Sequence, residues 1–159
     1  MSDKIVPIEE IRVGNLFKSV HTFCLKVTGM SPFDNSVRCD QIEGCNILYD
    51  YIDNYGEIRR DYYDESRNLR GIPIEPTLLI GLGFREVECP HKKKKVWVTE
   101  HHIFENCKWH FTLRRNGLLS FIVKGVVVVD VKYIHQLQNL YHILTTQMLT
   151  IKSNKGKIL

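Results

Sequence analysis

Apolar and polar positions along this chain follow two periods. Over most of its length the apolar residues alternate with polar ones or form short runs broken by Gly, Asn, Asp and Pro, the pattern of half-buried strands between turns. Residues 11–52 divide in this way into short strands at Ile11–Lys18, His21–Thr28, Ser36–Ile42 and Asn46–Tyr51, with turn signals at Gly14-Asn15, Gly29, Pro32, Asp34-Asn35 and Gly44. Strands this short bury a face by curling into a closed sheet, so an SH3-like β-barrel is expected for an N-terminal module over 1–70. Its last part, between Tyr51 and Tyr62 with Gly56 at the turn, reads as a solvated hairpin or a mobile loop.

Beyond Leu69 the pattern changes. Gly71-Ile72-Pro73-Ile74-Glu75-Pro76 is an extended connector, because each proline pushes its predecessor out of the helical region. A short helix over Thr77–Leu82 follows, ended by Gly83. Next comes a predicted antiparallel meander: Phe84–Cys89, Val96–Glu100, Lys108–Arg115, Leu118–Val123 and Val126–Val129. Asn116-Gly117 suits a two-residue type I′ hairpin that sets Arg115 opposite Leu118 and Phe111 opposite Ile122, and Lys124-Gly125 can turn the chain again. In Tyr133–Leu144 the apolar residues 134, 137, 140, 141 and 144 share one helical face, with His135, Gln138, Asn139 and His142 elsewhere around it. Asp130 is positioned to cap this helix, a last strand is expected at Met148–Lys152, and 153–159 reads as a frayed tail. The expected fold class is α+β, with the meander over 71–152 packed against the C-terminal helix. Valine and isoleucine abound and alanine is absent, which agrees with a strand-rich chain.

Three segments resemble a family of short uncharacterised bacterial proteins. They are Arg12-Val13-Gly14-Asn15-Leu16, then Gly71-Ile72-Pro73-Ile74 with Leu78-Leu79-Ile80-Gly81-Leu82-Gly83-Phe84, then Tyr133-Ile134-His135-Gln136-Leu137-Gln138-Asn139-Leu140-Tyr141. Members of that family are found in gut anaerobes, often beside phage or mobile-element genes, and typically carry Thr-Gly after the last helix. Thr145-Thr146 departs from that pattern. The resemblance implies kinship over most of the chain and brings no activity, ligand or site residue with it.

Composition narrows the function classes. The 159 residues carry 22 Lys plus Arg against 18 Asp plus Glu, a formal charge of +4. The longest apolar run, Val126–Val129, is far shorter than the ~20 residues of a membrane-spanning helix, and Met1–Ile5 runs through charge into Pro7, so a cytoplasmic protein is expected. Five scattered cysteines read as reduced thiols. The pairs His21/Cys24, Cys39/Cys45, Cys89/His91 and Cys107/His110 lack the short Cys hook of a zinc site, so no metal or other cofactor is expected. Cys107 with His110, or Cys24 with His21, would be the thiol–imidazole pairs of a nucleophile, but three residues along a strand turn two side chains to opposite faces. The carboxylates Asp50, Asp53, Glu57 and Asp61 show no spacing that selects a catalytic pair, and no phosphate loop is present. The chain therefore reads as a non-enzyme.

Two charged regions remain. Residues 40–66 hold eight acids against two bases, a local charge of −6, interleaved with Tyr49, Tyr51, Tyr55, Tyr62 and Tyr63. Tyrosine gives interface area at low rotamer cost, so this segment is the expected protein-binding surface, for an unknown protein or for self-association. Lys92, Lys93, Lys94 and Lys95, followed by Trp97 and joined by Lys108, Arg114 and Arg115, form the alternative, a weak nucleic-acid site of phosphate-neutralising bases beside rings able to stack. A lysine-rich turn also simply keeps a hairpin tip soluble.

Overall fold

The computed structural model describes residues 6–19, 24–30, 36–42, 58–65, 69–89, 93–99 and 109–151. Their strands form two antiparallel sheets. The first contains β1 (Leu16–Ser19), β2 (Cys24–Met30), β3 (Ser36–Ile42), β4 (Ile58–Glu65) and β5 (Leu69–Gly71), in the order β4-β3-β2-β1-β5. The second contains β6 (Phe84–Cys89), β7 (Lys94–Thr99), β8 (Trp109–Leu113), β9 (Leu119–Val123) and β10 (Val126–Val131), a plain meander. A 3₁₀ turn covers Ile8–Glu10, α1 covers Pro76–Gly81, and α2 covers Ile134–Thr145. The α+β class, the antiparallel sheets and the C-terminal helix agree with the sequence pattern. Among the described residues the outer strands of the first sheet, β4 and β5, do not pair, so no closed barrel is found.

Several local expectations are corrected. The first strand starts at Leu16 rather than Ile11, because Gly14 takes a positive φ of 91° and the Asn15 side chain accepts the Arg12 N–H at 2.7 Å, folding residues 12–15 into a turn. The β8–β9 hairpin has a three-residue loop. Gly117 alone takes a positive φ (83°), Asn116 does not, and Arg114 pairs with Leu118 through the 2.8 Å bond that its N–H donates. A type I turn followed by a left-handed glycine moves the register by one, so Phe111 lies opposite Phe121 instead of Ile122. The two-residue I′ geometry occurs one hairpin later, where Lys124 and Gly125 both have positive φ and Val123 pairs with Val126. Asp130 does not cap α2. It accepts the Ser120 hydroxyl at 2.5 Å, while Gln136 Oε1 accepts the N–H groups of Lys132 and Tyr133 at the helix start. Residues 148–151 form no strand; Leu149 and Ile151 are buried in the core. The expected strand at 46–51 and the Gly56 turn lie outside the described residues.

The main core lies between α2 and the second sheet. Ile134, Leu137 and Tyr141 of the helix meet Phe84, Trp97, Phe111, Leu119 and Phe121 of the strands, with Leu78, Leu79 and Leu82 closing one side. Phe84 meets Phe111 edge-on at 5.6 Å, a favoured aromatic geometry, and Tyr141 anchors its hydroxyl on Thr99 at 3.0 Å. Leu16 belongs to this core, while its neighbour Phe17 points to the other side of β1, into a second core of Val6, Ile11, Leu25, Val27, Cys39 and Leu69. One strand thus feeds both cores. The connector after β5 is also tied by backbone to the junction between β10 and α2: Ile134 N–H donates to Ile72 O at 2.9 Å and Ile74 N–H to Lys132 O at 3.2 Å.

Candidate interaction surfaces

Three of the four residues that periodicity places off the apolar face of α2, His135, Gln138 and Asn139, tie the helix to residues 10–16 and 149, while His142 is exposed. Gln138, fully buried, accepts the Leu16 N–H at 2.9 Å and donates to Gly14 O at 3.1 Å and to Leu149 O at 3.0 Å. Asn139 donates to Glu10 O and accepts from the Asn15 side chain at 2.9 Å. Each buried backbone group met in this way avoids the cost of an unpaired donor or acceptor. His135 is also buried, between the rings of Phe17 (4.7 Å) and Tyr133 (5.8 Å, stacked). Its Nε2 lies 2.8 Å from Glu10 Oε2. An ionised carboxylate only accepts, so Nε2 carries the proton and Nδ1 is the bare nitrogen, buried with no hydrogen-bond partner among the described residues. Burial pushes this imidazole below its ordinary pKa, against the opposing pull of the Glu10 hydrogen bond and charge. The arrangement is structural: it docks residues 8–16 on α2. At its outer margin Arg12, Val13, Asn139, His142, Ile143 and Met148 surround an open depression of about 270 Å³.

A second feature lies on the second sheet. β10 is its outer strand, and Val126, Val127, Val128 and Val129 are 65, 42, 60 and 36 % exposed. Among the described residues no strand pairs with the outer side of Val126–Val131; only the following residue, Lys132, is met, by Ile74. An edge of consecutive apolar, β-branched residues is the kind that natural sheets normally protect with charge, proline or a cover. The register with β9 skips Val128, a bulge that adds local twist.

The third feature is electrostatic. Trp97 pairs with Phe111 in antiparallel strands, so the start of β7 and the end of β8 lie at the same end of the sheet. Lys93, Lys94, Lys95, Arg114 and Arg115 are all exposed there. Lys95 has a 3.6 Å ion pair with Glu86 across the β6–β7 ladder. Lys92 and Lys108 lie outside the described residues. The assignment of Trp97 as a stacking platform is corrected: the ring is 5 % exposed and packs in the main core, because its strand position faces α2.

Of the tyrosines expected to bind protein, Tyr49, Tyr51 and Tyr55 lie outside the described residues, and Tyr62 and Tyr63 stand in β4 opposite Cys39 and Arg38. Cys39 and Cys89 are buried, and among the described residues no three His, Cys, Asp or Glu side chains gather as metal ligands. No helix of the described residues is long and apolar enough to cross a membrane. Comparison with protein-family models, with curated proteins and with solved structures gives no match.

Proposed function

We propose that the protein is a non-enzymatic binding module of accessory type, acting through protein–protein contacts, and that its partner docks on the edge of β10 as an added strand. The observation that carries this reading is the exposed valine run on a sheet edge that pairs with no strand among the described residues. Such an edge offers backbone N–H and C=O groups in register for an extended segment, with flanking apolar side chains supplying area. The bulge at Val128 makes the edge selective, since a strand must follow its local twist. The acidic, tyrosine-rich segment 40–66 belongs to the same proposal as a further protein-contacting surface. The strand order of the first sheet, with β5 returning beside β1, supports an SH3-like barrel form for that module. Kinship with the short bacterial proteins of mobile elements, and with it a cytoplasmic site of action, belongs to the same proposal.

A fluorescein-labelled hexapeptide of alternating Val and Thr serves as the probe. Its anisotropy should rise on titration with the protein, and the rise should be lost when alternate peptide nitrogens are methylated or when Val127 is changed to Lys. Binding that ignores N-methylation, or no binding at all, refutes strand addition.

A further inference from the structure

A surface distinct from β10 points to a different ligand. The turn before β7 and the turn between β8 and β9 come from separate parts of the sequence, yet the antiparallel pairing of β7 with β8 sets them side by side. Neighbouring strands are ~4.8 Å apart, so two pairs of bases converge within reach of one ligand. Lys93, Lys94, Arg114 and Arg115 are exposed, and none has a carboxylate partner among the described residues. Lys95 is set apart from them by its ion pair with Glu86. Lys93 has a positive φ of 48°, and its N–H donates to Cys89 O, at the end of β6, at 3.2 Å. In the second turn Asn116 Oδ1 accepts the Leu118 N–H at 3.1 Å. Lys93 and the 114–118 loop are therefore each held by hydrogen bonds of their own.

We infer that this end of the second sheet is a single binding site for the phosphate backbone of duplex nucleic acid, formed by Lys93 and Lys94 from one turn with Arg114 and Arg115 from the next. Single-strand binders rely on open aromatic platforms, and the tryptophans here are committed to packing: Trp97 is in the core and Trp109 packs edge-on against Phe121 at 5.5 Å. What remains is charge alone. Charge alone favours the ligand with the densest phosphates, a duplex with one negative charge per ~1.7 Å, and reads no sequence. The segment 40–66, at −6, leaves +10 for the rest of the chain, so the attraction is local and not a property of the net charge.

The test is fluorescence anisotropy of the full chain with a labelled 20-base-pair DNA duplex, an RNA duplex of equal length and the corresponding single strand, from 25 to 200 mM salt. Four phosphate contacts give a slope of log affinity against log salt of about −3.6, so affinity should fall on the order of 10²-fold between 50 and 200 mM. Lys93→Gln with Lys94→Gln should lower the slope magnitude by about two, Arg114→Gln with Arg115→Gln by the same amount, and all four changes together should abolish binding. The single strand should bind no tighter than either duplex. The DNA and RNA arms distinguish the two duplex sources of phosphate. All four side chains are exposed, and circular dichroism checks that each variant is folded. No binding at 25 mM salt, a slope unmoved by either pair, or a clear preference for the single strand overturns the inference. None of these outcomes bears on the β10 reading.

Discussion

Changing Gln138 to Leu tests whether the polar seam beneath α2 holds the two sheets together. Leucine has nearly the same reach and leaves no large cavity, so the change isolates three hydrogen bonds. The Leu16 N–H loses its acceptor in a buried place, a cost of about 1–3 kcal/mol. The carbonyls of Gly14 and Leu149 each lose a donor, at about 0.5–1.5 kcal/mol apiece. The added apolar surface returns about 1 kcal/mol. A net loss of about 1–5 kcal/mol, centred near 3, follows, a large part of the ~5–15 kcal/mol that holds a domain of this kind together. Urea unfolding should be followed both by far-ultraviolet circular dichroism and by tryptophan fluorescence. Both tryptophans belong to the second sheet, so the two signals separate if the first sheet comes away earlier. Gln138→Glu supplies an internal control. Its ionised form keeps an acceptor for Leu16 but turns negative oxygens toward two carbonyls, whereas its protonated form can donate once. Its carboxyl pKa is therefore raised in the folded state, and the variant should lose stability as pH rises. A loss below 1 kcal/mol for Gln138→Leu, with coincident transitions, would refute the claim that this side chain fastens the seam.

Two further outcomes follow from neighbouring contacts. Burial lowers the His135 pKa in the folded state, so between that value and its unfolded 6.5 the unfolded chain binds the extra proton. Stability should therefore decline as pH falls below about 6.5, at no more than ~1.4 kcal/mol per pH unit, and His135→Phe should flatten that decline in pH-dependent melting. Gly71→Ala would place a Cβ 2.5 Å from the Tyr133 ring and should cost about 1–3 kcal/mol by urea titration, most of it recovered in the Gly71→Ala/Tyr133→Ala double variant.

The apolar framework was legible because its periods are local. Ile134, Leu137 and Tyr141 were marked as core by spacing alone, and all three are buried. Gln138 and His135 were not, because a helical wheel sorts residues by apolarity. Their burial depends on partners more than 120 positions away at Leu16 and Glu10, which nothing local announces. Leu144, counted on the apolar face, is instead exposed beside Ile143, near the helix end. The turn at Asn116-Gly117 was legible, but its register was not, because that depended on whether one or two residues would take positive φ. Of the candidate surfaces, the sequence supplied the bases but not their convergence, since the nearness of Arg114 to the lysine turn is a product of strand order. It showed four valines in a strand but could not show that this strand would be outermost. Trp97 departs from the expected open platform for a related reason: whether a ring opens to solvent depends on which face of the sheet receives the helix.

Because α2 and the residues just after it complete the docking of β1, the chain is made in the opposite order to that in which it closes. Leu16 and Gly14 leave the ribosome more than a hundred residues before Gln138 arrives to receive them. Throughout that interval Leu16, whose core is otherwise built from residues after 71, has nothing to rest on, and contacts this distant in sequence form slowly. Synthesis is thus the period of greatest exposure for Leu16, and a chaperone that shields it until residue 149 is free should raise the yield of folded protein.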